Sequence, residues 1–177
     1  MNLKSIAIAA MLLGYSFAMP IGSASAEPAV NIPASVVMEH DSVMGYLRKI
    51  AERTTPTGAA ARDLIEVFKK HMTLEEQFIL PPLTLLPSIA AGKITPDMRW
   101  AIPMGDRVRT EKDHLQQVHD GITIAILALK DAADAEHDEA TVGFSSDLAA
   151  DDLADVEITE PTVIIISDIL RSKLPPQ

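Results

Sequence analysis

The chain has 177 residues, a formal net charge of −10 and no cysteine. This length supports one domain with a hydrophobic core, and the lack of cysteine excludes a disulfide framework and Cys-based zinc or iron–sulfur sites. The acidic balance excludes a nucleic-acid-binding protein, because such a protein needs a basic surface for phosphates.

The first residues have the pattern of a secretory signal peptide. Lys4 precedes a nearly unbroken apolar run over residues 6–17, and Ala24-Ser25-Ala26 is a cleavage site of the A-x-A type. An uncleaved anchor helix is the alternative, although the run is short for a bilayer. Cleavage after Ala26 would remove Lys4 and no acid, so the net charge would change from −10 to −11. The sequence therefore predicts a signal peptide at 1–26 and a secreted or periplasmic domain at 27–177, without a membrane span in the mature protein.

The remaining chain has apolar residues at helical spacing, and no segment favours a strand. We predict four long helical segments, namely A over 35–53, B over 59–80, C over 106–130 and D from near Phe144. Pro81-Pro82 is expected to end segment B. Pro161 is expected to interrupt segment D or to restart it as a last apolar helix over 162–174.

The connections complete the predicted fold. Thr95-Pro96-Asp97 is typical of a helix start with proline at the first position, so a short helix carrying Trp100 is expected between B and C. Residues 131–143, between C and D, are acidic and are expected to form a surface loop. The fold class is therefore predicted to be all-α, an up-down-up-down four-helix bundle with a short helix in the B–C connection.

Each predicted helix carries polar residues on its apolar stripe. They are His40 on A, His71 and Glu75 on B, His119 on C, and Asp151 and Asp155 on D. An unpaired buried carboxylate costs several kcal/mol, and a bound cation would offset that cost. Facing helices are where bundles build metal sites. The alternatives are histidines hydrogen-bonded within the core, and a solvated acidic face at Asp151 and Asp155.

The spacing of these polar residues repeats along the chain. His71 follows His40 by 31 residues, and Asp151 follows His119 by 32 residues. In each case the second residue begins an i,i+4 pair, which places two side chains on one helix face. This pattern indicates two half-sites related by a pseudo-twofold arrangement, for which two metal ions bridged by two carboxylates are the natural occupant.

These residues also carry a family resemblance. The segment 71–83, HMTLEEQFILPPL, resembles the H-x-x-x-E-E-x-F-x-L-P-P-L stretch of hemerythrin-like (HHE cation-binding) proteins, and Glu39-His40-Asp41 resembles their first-helix motif. Residues 85–109 resemble the inter-helix connection of a bacterial subgroup. The resemblance covers roughly residues 36–174, and it implies an up-down four-helix bundle around a non-haem di-iron centre that can bind O2.

By this resemblance, His40 and His71 bind one metal ion with Glu75 as a bridge, and His119 binds the other with Asp155 as the second bridge. Asp151 stands where the family has His, and Asp155 stands where Glu is usual. Because Asp is a harder ligand than His, the second half-site would be oxygen-rich. That departure implies a stabilised ferric state, poorer reversible O2 binding, or a preference for Mn or a single metal ion.

Glu111 is a further acidic residue on the stripe of segment C. It lies about 12 Å from His119, so we expect it behind the ligands or at the bundle end.

Three functions are compatible with this interpretation of the sequence. The first function is an exported metal-binding protein for O2 or redox sensing or iron handling, with metal ions and O2 or another diatomic molecule as partners. The second is a dimetal oxidase or peroxidase, and the third is a structural bundle with a decayed metal site.

Overall fold

The computed structural model describes residues 31–176, so the predicted signal peptide lies outside the described residues. The described part is all-α, and residues 31–176 contain no strand. The α-helices are α1 (Ala34–Ala51), α2 (Pro56–Leu74), α3 (Leu80–Leu83), α4 (Leu86–Ala90), α5 (Ala101–Thr110), α6 (Lys112–Ala135), α7 (Glu139–Ala154) and α8 (Glu160–Lys173). A 3-10 helix covers Pro96–Trp100, and two π turns cover Glu75–Ile79 and Asp155–Thr159.

The helices pack in antiparallel contacts that are consistent with a helical bundle. Helix α1 packs on α2 across a short turn, and α6 packs on α7 across another. The two pairs meet through α2 and α6, while α5 packs on α8. Within residues 31–176, no helix is both long and apolar enough to cross a membrane.

Two apolar clusters divide the interior along the helix axes. One contains Leu64, Phe68 and Ile122, and the other contains Phe78 and Leu115. On both α2 and α6, the chain passes from one cluster to the other through a buried polar stretch. The predicted stripes of segments B and C are confirmed, because His71, Glu75 and His119 are buried in that stretch between the clusters.

The prediction that Pro81-Pro82 ends segment B is wrong. A π turn over Glu75–Ile79 follows α2, and helix α3 continues to Leu83. The N–H of Leu80 donates to the carbonyl of Glu75, a bond to the fifth residue back. A proline has no N–H and clashes with the carbonyl four residues earlier, so the extra residue of the π turn makes room for Pro81.

The same device recurs in the second half of the chain. The N–H of Glu160 donates to the carbonyl of Asp155 across the π turn Asp155–Thr159, directly before Pro161. Helix α8 then restarts at Glu160, as expected for an interruption by Pro161. Both π turns therefore begin at a carboxylate and end two residues before a proline.

The predicted acidic loop over residues 131–143 is mostly helical. Helix α6 runs to Ala135 and α7 begins at Glu139, which leaves three residues between them. Ala133 is fully buried while the acids beside it face solvent, so this stretch is an amphipathic helix end. His137 turns the chain with a φ of 56°, and Asp138 caps α7 by accepting the N–H of Thr141 at 3.1 Å.

The predicted stripe of segment D is right at Leu148 and wrong at Asp151 and Ile158. Asp151 is exposed and Asp152 is buried in its place, while Ile158 is 64% exposed. A period of 3.6 allows either the third or the fourth residue after Leu148 to face inward. The π turn then adds one residue, so the inward face passes from residue 155 to Glu160 rather than to Ile158.

The connection between B and C contains the predicted short helix, as the 3-10 helix Pro96–Trp100. Trp100 packs with Met98 and Leu170 in a third apolar cluster near the end of α8. Predicted segment C is divided, because α5 ends at Thr110 and α6 begins at Lys112.

Candidate metal centre

Three side chains from both halves of the chain converge between the apolar clusters. The Nε2 atom of His71 lies 3.1 Å from Oε2 of Glu75 and 3.8 Å from Oδ2 of Asp155. One ligand atom from each of these residues lies within 4.8 Å of the others. His71 and Glu75 are buried, and the side chain of Asp155 is 27% exposed. This group could hold one metal ion.

A fourth side chain, His40 on α1, reaches the same carboxylate. Its Nε2 atom lies 3.4 Å from Oε2 of Glu75, the oxygen that His71 also approaches. That oxygen is buried and has no hydrogen-bond partner among the described protein atoms. A buried polar atom without a partner costs about 1–3 kcal/mol. A cation held by this oxygen and the two imidazole nitrogens would remove the cost.

The surroundings of the group are aromatic and narrow. The ring of Phe68 lies 6.0 Å from the His40 ring and 5.7 Å from the His71 ring, measured between centroids. His40, His71 and Asp155 line a cavity of about 20 Å³. A space of about 10–15 Å³ on this measure holds one water molecule, so the cavity has room for one ion. Two imidazoles and two carboxylates form a mixed nitrogen and oxygen donor set that suits iron, manganese or zinc.

The ionisation of the two acids depends on their burial and on the side chains beside them. Burial opposes the ionisation of Glu75, but its contacts with His40 and His71 outweigh burial and hold its pKa well below the ordinary value. Burial, followed by the charge of Glu75, raises the pKa of Asp155 to about 6. The two acids therefore differ in ease of ionisation. A bound cation would favour the ionised form of both, with release of a proton where Asp155 is protonated.

The predicted second half-site has a different arrangement. His119 places Nδ1 2.7 Å from Oδ1 of Asp152 and Nε2 3.2 Å from Oε1 of Glu160. The hydroxyl of Thr123 donates to the other oxygen of Asp152 at 3.2 Å. Burial disfavours a charged imidazole, but the bonds to Asp152 and Glu160 prevail and raise the pKa of His119 to about 10. With both nitrogens bonded to carboxylates, His119 acts as an imidazolium that donates twice.

The six predicted ligands therefore fall into three groups. His40, His71, Glu75 and Asp155 lie together. The His119 ring lies 5.0 Å from the His71 ring, but its nitrogens are engaged by carboxylates. Asp151 is exposed at the rim of the small cavity. Glu111, predicted behind the ligands, accepts a bond of 2.6 Å from Nε of Arg107, beside the junction of α5 and α6.

Asp152 and Glu160 are the site residues that sequence reasoning missed. Asp152 follows Asp151 directly, and helical spacing alone does not choose between them. Glu160 had a detectable signal, since it stands before Pro161 as Leu80 stands before Pro81, five residues after the carboxylate in each half. Aligning the two halves on these prolines places an acid where the first half has leucine.

Comparisons with known proteins add no assignment. A scan against protein-family models found no match, and searches of curated proteins and of solved structures found no significant match. The functional interpretation therefore depends on the side chains and their geometry.

Proposed function

We propose that this protein is a metal-binding helical bundle that holds one transition-metal ion at His71, Glu75 and Asp155, with His40 as a fourth ligand. The observation that carries the proposal is the buried Oε2 atom of Glu75, which two imidazole nitrogens approach at 3.1 and 3.4 Å without a hydrogen bond. Such convergence on an unpartnered oxygen is what a cation site requires.

The proposal includes a hemerythrin-like, up-down-up-down four-helix bundle as the mature domain, exported after cleavage near Ala26. Support comes from the 71–83 motif and from four helical arms, namely α1, α2 with its π turn, α5 with α6, and α7 with α8. The ligands of the first half also occur in the order that the resemblance implies.

The proposed role is non-enzymatic, in sensing O2 or redox state or in handling iron. Four protein ligands leave further positions open on an iron or manganese ion that prefers six, and a small diatomic molecule could take one of them. Iron or manganese is preferred over softer metals because half of the donors are carboxylates. An oxidase or peroxidase activity is the enzymatic alternative, since hard ligands favour the oxidised metal.

A dimetal centre is the second candidate. The observation that favours it is the position of His119, whose ring lies 5.0 Å from that of His71 and which meets Asp152 and Glu160. These three residues supply one nitrogen and two carboxylates, enough to bind a second ion. That ion would have to replace at least one of the two bonds of His119, and for this reason we prefer the single-ion proposal.

Metal analysis of the full chain tests both candidates. The protein is loaded anaerobically with Fe(II), and in parallel with Mn(II), then desalted and assayed for metal and protein. We expect about one ion per chain, which depends on deprotonated His and carboxylate ligands and so falls at low pH. About two ions per chain would favour the dimetal candidate, and less than about 0.2 after loading would refute both. Optical spectra after adding O2 or azide then separate a reversible binder from an oxidase that turns over.

A further inference from the structure

A second and much larger cavity lies outside the metal group. Its volume is about 430 Å³, and it lies among the end of α5, α6, the second π turn and α8. Small-molecule sites typically occupy about 300–1,000 Å³. The ion-sized cavity at His71 and this cavity share no lining residue, so the larger one requires its own explanation.

Most of the cavity wall is apolar. Val108 and Val156 contribute from α5 and the π turn, and Ile164 and Ile165 contribute from α8. Ile165 is 55% exposed, so a ligand in the cavity would cover apolar surface that now faces solvent. Covering apolar surface is favourable by about 25 cal/mol per Å². The wall therefore suits the apolar body of a small molecule.

A positive charge stands at one end of the cavity. Lys112 and Gln116 are four residues apart on α6, so their side chains lie on the same helix face. Lys69 on α2 pairs with Glu66 at 2.9 Å, whereas Lys112 pairs with no carboxylate within residues 31–176. Nε2 of Gln116 donates to Asp120 at 2.9 Å through one of its two N–H groups. The remaining N–H and the unpaired ammonium of Lys112 are together complementary to a carboxylate.

The acid at the other end of the cavity is already paired with a histidine. His119 lies seven residues beyond Lys112, about 10 Å along the axis of α6. Glu160 lines the cavity there, and its carboxylate is bonded to His119 at 3.2 Å. The acid therefore has its own counter-charge.

We propose that this cavity binds a small monocarboxylate with an aromatic or branched aliphatic body. The carboxylate pairs with Lys112 and accepts a bond from the N–H of Gln116 that Asp120 does not engage, while the body packs against Val156, Ile164 and Ile165. The proposal does not depend on the single-ion centre, since none of these contacts involves His40, His71, Glu75 or Asp155. His119 and Glu160, the residues of the dimetal candidate, also line the cavity but make none of these contacts.

Titration of the full chain with 3-phenylpropionate tests the proposal, by calorimetry and by NMR. We expect saturable binding at one site, and about tenfold or greater weakening in Lys112→Met, because the charge-assisted bonds are lost. Lys70→Met removes an exposed lysine of α2 as the matched control and should leave binding unchanged. The uncharged 3-phenylpropionamide tests the need for the charge, and propionate tests the need for the apolar body; both should bind at least about tenfold more weakly.

The result that overturns the proposal is no saturable binding of 3-phenylpropionate, equal binding of its amide, or equal binding by Lys112→Met. Ile164→Trp fills the cavity and should abolish binding of 3-phenylpropionate. Gln116→Leu removes one hydrogen bond to the carboxylate and should weaken binding less than Lys112→Met does. The titrations are repeated with metal-free and metal-loaded protein. Binding in the metal-free protein supports the cavity proposal even if the metal assay fails, so the two failures are distinguishable.

Discussion

The two halves of the chain share one backbone pattern but differ in how their buried acids are paired. Each half has a histidine on one helix, a carboxylate that begins a π turn on the next, and a proline six residues later. In the first half, His40 and His71 both approach one oxygen of Glu75 that has no hydrogen-bond partner. In the second half, His119 is the one histidine that meets the buried acids, and it is bonded on both nitrogens.

The difference shows two ways to stabilise buried acids in a bundle. In the second half, His119 meets both Asp152 and Glu160 with a ring nitrogen, so each acid has a hydrogen-bond partner within the protein. In the first half, His40 and His71 both approach one oxygen of Glu75, and Asp155 adds a second acid from the other half of the chain. We infer that an external cation completes this half, and four predictions test the contrast.

The largest effect is expected from His71→Ala. His71 contacts both acids of the proposed site, so its loss removes a ligand and enlarges the cavity. Metal content should fall from about one ion per chain to below about 0.2 in the loading assay. His114→Ala removes an exposed histidine of α6 and should retain full metal content. Unchanged uptake by the His71 variant would place the site elsewhere.

The next prediction distinguishes the roles of two acids in segment D that are four residues apart. Asp155→Asn should raise the dissociation constant for Mn(II) by about 100-fold or more, since a charged ligand becomes a neutral one. Asp151→Asn should change it by less than about threefold, because Asp151 is exposed. Competition titration with a metal-sensitive dye measures both. Equal losses in the two variants would mean that Asp151 is a ligand, as the sequence predicts.

A smaller effect is expected on stability rather than on metal binding. Asp152→Asn weakens the buried pair with His119, and it should destabilise the metal-free protein by about 1–3 kcal/mol in urea unfolding. Asp147→Asn changes an exposed acid of the same helix and should be neutral. Metal content of the Asp152 variant should stay near that of the parent. Loss of metal together with unchanged stability would reverse the roles assigned to the two halves.

The last prediction concerns the pH dependence of the same buried pair. The pKa of His119 is raised from 6.5 to about 10, so its contribution to folding is fully present below pH 6.5 and is lost as pH rises through about 10. The metal-free protein should therefore lose stability between pH 7 and pH 10, followed by urea unfolding at each pH. Asp152→Asn should reduce that loss, whereas Asp147→Asn should preserve it. A flat profile in the parent protein would exclude the imidazolium at His119.

Much of this arrangement follows from helical spacing, and the remainder depends on features that spacing does not encode. The stripe through Phe68, His71 and Glu75 is unambiguous because apolar residues flank the polar pair on both sides. The choice of Asp152 over Asp151 depends on a rotation of one residue, which a period of 3.6 leaves open. The π turns depend on prolines that sequence rules treat as helix ends, and the position of Glu160 depends in turn on the second π turn.

The most direct test of the central claim is the anomalous scattering of manganese in crystals of the Mn(II)-loaded protein. We predict one strong peak among Nε2 of His71, Glu75 and Asp155, within ligand distance of His40, and no peak at His119. A peak bound by His119, Asp152 and Glu160 alone, or no ordered peak in protein that retains its metal, would contradict the account.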